Sequence, residues 1–151
     1  MKKLILTVVV FGISISSWAM EKQHAVGAMI GDPTGISYRY LLKDKVFIDT
    51  GLDYRLGDRM HVYASYSKIA PKSLLIFGQV TEWFYGLGAR VRAKDKDGDT
   101  ESFIGARGAI GLLYRPESQP FEVFGQVAPT LNVVPATNLD VDANIGLRFV
   151  F

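Results

Sequence analysis

Nucleophile-and-base chemistry needs a histidine within hydrogen-bond reach of a serine, and this 151-residue chain has two histidines, His24 and His61. On an extended segment His61 shares a face with Ser65, but four residues of strand span about 13 Å, too far for a direct bond. No His-x-Ser pair occurs, and the absence of cysteine excludes a thiol nucleophile, a thiolate zinc site and a disulfide framework. The reading is therefore no catalytic residue, no cofactor and no enzyme. Asp95, Asp97, Asp99 and Glu101 alternate around Gly98 like the opening of a calcium loop. The spacing departs from the full loop and its twelfth-position Glu is missing. They stay a weak metal candidate beside the simpler reading of Asp97-Gly98 as a hairpin tip.

A third set of charges is more ordered. Arg39, Asp49, Asp53, Arg55, Arg90, Arg92, Arg107, Glu122, Asp142 and Arg148 each fall on the face opposite the apolar one of their run. In the clearest run Val46, Ile48, Thr50, Leu52, Tyr54 and Leu56 fall on one face, and Phe47, Asp49, Gly51, Asp53 and Arg55 on the other. A helix would spread these charges around its circumference, whereas a strand keeps them on one side. The same period governs Trp83 to Arg92 and Val141 to Phe151. Positive and negative members are nearly balanced, so the expectation is a charged face that pairs with itself.

The elements that carry these charges are strands separated by turn chemistry. The breaks fall at Asp32 to Gly35, Lys43 to Lys45, Gly57 to Arg59, Lys94 to Glu101, Pro116 to Pro120 and Asn132 to Asn138. About eight strands result. Pro129 should mark where the seventh stops, since proline lacks the ladder donor. Lys68 to Val80 is a longer connection, with Pro71 and the apolar Leu74 to Phe77, open to a helical turn or a ragged strand that caps the periplasmic mouth. At the N-terminus, Lys2-Lys3, the apolar Leu4 to Ile15 and Ser17-Trp18-Ala19 read as a secretory leader cleaved after Ala19. Residues 1–19 are then the signal peptide and 20–151 one domain. Two of the 17 basic side chains leave with it, which makes the remainder formally neutral, 15 basic against 15 acidic, and gives no nucleic-acid footprint.

Even strand number, short hairpins and an apolar face opposite a glycine-dotted charged one predict an all-β, eight-stranded antiparallel up-and-down transmembrane β-barrel. The apolar face would meet outer-membrane lipid, and the aromatics at strand ends would form two interfacial girdles. At the C-terminus a polar Asn144, Gly146, then Phe149 and Phe151 on one face resemble the assembly signal of outer-membrane proteins. That resemblance implies recognition by the barrel-assembly machinery. Gly31-Asp32-Pro33-Thr34-Gly35-Ile36-Ser37-Tyr38-Arg39-Tyr40, Tyr85-Gly86-Leu87-Gly88-Ala89-Arg90 and Phe121 to Pro129 resemble small uncharacterised outer-membrane barrels, similar to OmpA- and OmpX-type transmembrane domains. What this implies is fold and location in the bacterial outer membrane, with a structural or surface-interaction role and a lumen closed by paired charges. The short outward loops would be what an extracellular partner, of unknown identity, meets. A narrow pore or transport protein is the alternative, and an outer-membrane lipid-modifying enzyme comes third.

Overall fold

A computed structural model describes residues 23–55 and 59–151. The proposed leader, Gly57 and Asp58 of the proposed turn, and the side chains of Tyr54 and Arg55 lie outside the described residues. Nine strands occur among them: β1 (His24–Asp32), β2 (Gly35–Lys43), β3 (Val46–Arg55), β4 (Arg59–Ile69), β5 (Leu74–Ile76), β6 (Gln79–Lys96), β7 (Asp99–Tyr114), β8 (Phe121–Val134) and β9 (Asn138–Val150). Every registered pair is antiparallel. Sequential neighbours pair except β4 and β5; β4 pairs with β6 instead, and β1 with β9, so eight strands close into the expected up-and-down barrel. The ninth, β5, lies within the unassigned Lys68 to Val80 connection. It continues the β4 side of the β4–β6 hairpin past the rim, with Leu74 opposite Thr81 where Ile69 is opposite Phe84.

Period-two alternation becomes a two-sided wall. Along β4 every odd residue from His61 to Ile69 is buried and every even one exposed. The buried face carries charges, and the exposed face carries Val62, Tyr66, Leu87, Ile110 and Leu147. A narrow barrel fits arginines and aromatics inside because large side chains stand opposite glycines on the adjacent strand. The pairs are Tyr63–Gly51, Arg90–Gly105, Arg107–Gly88, Phe84–Gly111, Phe124–Gly146 and Arg148–Gly27. A Cβ on Gly111 would meet the Phe84 ring, and one on Gly146 the Phe124 ring.

Four details differ from the sequence reading. β8 does not stop at Pro129 but runs on to Val134. The β7–β8 registry passes from Ile110–Val127 to Arg107–Thr130 with no pair registered at Pro129, so the missing donor falls where the ladder is already interrupted. The expected loops at Lys94 to Glu101 and Asn132 to Asn138 are mostly strand. The first shrinks to Asp97-Gly98, both at positive φ (55° and 86°), the geometry of a two-residue hairpin turn. Among the described residues, the strand-end aromatics form one girdle rather than two. His24, Tyr40, Trp83, Tyr85, Tyr114, Phe121, Phe149 and Phe151 all lie toward the end that holds the termini, while Ile36, Leu52, Val133 and Leu139 occupy the other. Lastly, the lumen is not charged throughout. Phe47, Ile69, Phe84 and Leu113 are buried together at the termini end, Phe47 and Phe84 edge to face at 5.3 Å, with Leu41 packed against them. They form an apolar plug beneath the charges.

Candidate functional site

The charged lumen has two layers. Nearest the plug, Arg148 of β9 donates from Nε and Nη2 to Ser37 Oγ at 2.9 and 2.7 Å and from Nη1 to Glu122 Oε1 at 3.1 Å. It also pairs with Asp49 and lies 3.7 Å above the Phe124 ring centroid. Arg39 donates from Nε to the same Glu122 oxygen at 2.8 Å. Tyr63 links this layer upward: its hydroxyl donates to Asp49 at 3.2 Å and accepts from Gln126 at 2.8 Å. All of these side chains are buried.

The second layer lies toward the end opposite the termini. Arg92 donates to Asp32 and Asp142 at 3.0 Å and to Asp140 at 3.1 Å. Arg90 pairs with Asp142 and donates to Asn132 and Asp140 at 2.8 Å. Arg59 pairs with Asp32, and its Nε lies 3.8 Å from Asp53. Over both layers, the described lumen residues in ion pairs comprise six arginines (39, 59, 90, 92, 107, 148) and six carboxylates (Asp32, Asp49, Asp53, Glu122, Asp140, Asp142). The formal charge of this set is zero.

Of the ten charges read from sequence, nine have described side chains, and all nine face the lumen; Arg92 at the rim is the least buried. Sequence reasoning missed Asp32, Arg59 and Asp140 as members. Asp140 was legible, because it precedes Asp142 by two and so shares its face. Asp32 and Arg59 stand at turn edges, where alternation gives no signal. Asn144 and Gly146 face inward, with Asn144 accepting from Gln126 at 3.2 Å, and Phe149 and Phe151 face outward. The candidate calcium residues lie on the two-residue β6–β7 hairpin, with Thr100 Oγ1 donating to Asp95 at 3.2 Å.

Arg107 is the exception in the network. It is fully buried, yet none of its three nitrogens makes a hydrogen bond. It stacks on Tyr63, 3.8 Å from the ring centroid, and its nearest ion-pair partner is Asp142 at 3.6 Å. Replacing a weakly bonded buried charge with an apolar side chain of similar length removes a desolvation cost and little attraction. Arg107→Met should therefore unfold in urea within about 1 kcal/mol of the parent barrel, or later. Equilibrium unfolding from lipid vesicles measures it, and a loss of several kcal/mol would show that the stacked guanidinium supports the lumen.

Asp32, His61 and Asp142 bring three ligand-type atoms within 4.8 Å of one another. A divalent cation there would have to displace Arg59 and Arg92 from Asp32, and Arg90 and Arg92 from Asp142. His61 points one nitrogen at each carboxylate, both at 3.6 Å, instead of both carboxylates and one nitrogen converging on a point. Both carboxylates are already held by arginines, so the cluster belongs to the ion-pair network of this layer. Among the described residues, neither histidine hydrogen-bonds a serine; His24 Nδ1 is 2.7 Å from the Tyr38 hydroxyl.

No family model matches the sequence, and no curated protein does. A solved structure does match in fold, the N-terminal β-barrel domain of Pseudomonas aeruginosa OprF, with a TM-score of 0.55 and 16% identity over 85% of this chain and 94% of that one. The chain has the fold of that barrel domain. The eight-stranded architecture implied by the resemblance to OmpA-type domains is thus the one found. At this identity the likeness speaks for the fold, and any function must be argued from the lumen and the wall.

Proposed function

We propose that the protein is a structural component of the bacterial outer membrane, a small barrel whose lumen is closed to ions. The observation that carries this reading is the inverted distribution of side chains: paired charges buried inside, aliphatic and aromatic side chains exposed outside. A soluble barrel hides its apolar face, whereas hydrocarbon requires that face outward and every backbone polar group paired within the wall. On this reading the girdle and the strand ends beside it lie on the periplasmic side. The outward-facing Phe149 of β9 and Phe151 just beyond it fit the proposed handover to the barrel-assembly machinery. Among the described residues the outer hairpins are tight, which leaves little loop for an extracellular partner.

Two barriers support a closed lumen over a pore. The paired arginines and carboxylates offer no uncompensated sign to draw an ion in, and the apolar plug below them resists hydration. Purified protein in planar bilayers should therefore give no stable single-channel steps. The double variant Phe47→Ala and Phe84→Ala removes only the plug, so it too should stay closed behind the paired charges. Regular channels from the unaltered protein would favour the pore reading instead.

A further inference from the structure

Every arginine whose side chain is described enters an ion pair, and no described lysine does. Four of those lysines gather at the termini end on one arc of the wall. Lys43 and Lys45 flank the β2–β3 turn, Lys68 and Lys72 lie at and beyond the end of β4, and all four are exposed. A register shift puts the first of them on the outside. Leu41 is opposite Phe47, but Lys43 and not Leu42 is opposite Val46. In an unbroken ladder Lys43 would share the lumen side of Leu41. With Leu42 as the extra residue it shares the outward side of Val46 instead. Val46 is in turn opposite Lys68, and Lys68 is opposite Tyr85 of the girdle. A single outward row therefore reads Lys43, Val46, Lys68, Tyr85 across β2, β3, β4 and β6. Lys45 is tied beside it, its carbonyl accepting from the Ile69 N–H at 2.7 Å. Asp44 is the one acid on these segments, so four lysines against one aspartate leave a net charge of +3. Elsewhere on the same rim Arg115 is paired with Glu82 and Glu117 follows, which confines the positive excess to this arc.

We infer that the Lys43–Lys68 row binds anionic phospholipid headgroups of the periplasmic leaflet and so gathers acidic lipid beside β2, β3 and β4. This rests on the membrane reading proposed above. Lys68 commits the row to lipid. It stands on the outward side of β4, two residues from Tyr66, which is 60% exposed. A lysine on such a wall lays its stem along the apolar surface and carries its ammonium to the headgroup layer. Lipid phosphates are the acids within reach there, whereas a soluble acidic protein would have to push between headgroups to meet it. With Val46 between them, the backbones of Lys43 and Lys68 are two strand spacings apart, roughly 10 Å. Two ammonium groups on flexible stems at that separation, with no carboxylate of the chain to neutralise them, attract phosphate. A zwitterionic lipid brings its own ammonium with every phosphate and adds like charge to the row. The row therefore selects a headgroup that carries phosphate alone.

Native mass spectrometry of the whole barrel, released from nanodiscs of equimolar phosphatidylglycerol and phosphatidylethanolamine, tests this. Retained lipid should be mainly phosphatidylglycerol. Lys43→Gln with Lys68→Gln should lower the ratio of phosphatidylglycerol to phosphatidylethanolamine adducts about tenfold. Both side chains are exposed, so heat-modifiable gel migration should be unchanged. Lys94→Gln with Lys96→Gln removes the same charge from the outer hairpin, among Asp95, Asp97, Asp99 and Glu101, and should leave the ratio as it was. Equal retention of both lipids by the parent, or a ratio indifferent to the Lys43 and Lys68 changes, would overturn the row while leaving the barrel standing. An equal fall in both double variants would overturn it too, by making net charge the cause. A parent protein that shows no heat-modifiable form in lipid would sink the membrane reading itself.

Discussion

Arg148→Met should cost the barrel about 3–5 kcal/mol, the range for breaking a buried ion pair from one side. The guanidinium of Arg148 holds three partners from three other strands: Ser37 on β2, Asp49 on β3 and Glu122 on β8. Methionine can still lie over the Phe124 ring, so the packing volume is largely kept. Two carboxylates, however, lose a cation inside a space that water reaches poorly. Glu122 keeps Arg39 at 2.8 Å, and Asp49 keeps only neutral donors, Tyr63 and Gln126. The prediction is checked by urea unfolding in lipid vesicles, beside Arg107→Met. If the lumen is held by hydrogen-bonded pairs, the two variants must separate by several kcal/mol although both delete one buried arginine. Equal losses would mean that bulk filling, and not pairing, supports the interior. Adding Asp49→Asn to Arg148→Met should recover part of the loss, because it removes the stranded charge.

The contrast also shows what sequence could and could not carry. Which side of each strand is charged was legible, because alternation is a local property and Asp49, Asp53 and Arg55 fall on one side at a glance. So was closure, since about eight strands without covered edges have few other solutions. The pairing partners were not legible. Arg148 and Asp49 are far apart in sequence, and their meeting depends on register and shear around the whole barrel. Likewise, Phe47 and Phe84 appear on the charged face of their runs, but only the assembled register puts them side by side as a plug. Pro129 misled for a related reason. The rule that proline ends a strand holds for a continuous ladder, and the β7–β8 ladder has a gap at that place. Only one girdle is found among the described side chains, and sequence could not assign its members, because an aromatic at a strand end says nothing about which end until direction is fixed.

Gly27→Ala should have the largest effect of any single methyl addition considered, abolishing the heat-resistant, fast-migrating folded form on gels. Gly27 lies inside β1 at the seam where the first and last strands close the barrel, with Arg148 opposite on β9 and Ser37 opposite on β2. The Arg148 side chain passes over this glycine to reach Ser37. A Cβ built at Gly27 would overlap the carbonyl of Leu147 and come within 2.6 Å of the Arg148 Cα. Both are backbone, so no rotamer change relieves them, and the strands would have to part where closure depends on their hydrogen bonds. The natural control is Gly108→Ala. That glycine has Leu87 Cδ2, at 3.9 Å, as its nearest neighbour, so alanine fits and should leave stability equal or raised by about 0.5–1 kcal/mol through reduced unfolded-state freedom. If Gly27→Ala instead refolds into lipid as well as Gly108→Ala, the seam is looser than its register implies, and a closed lumen can no longer be argued from it.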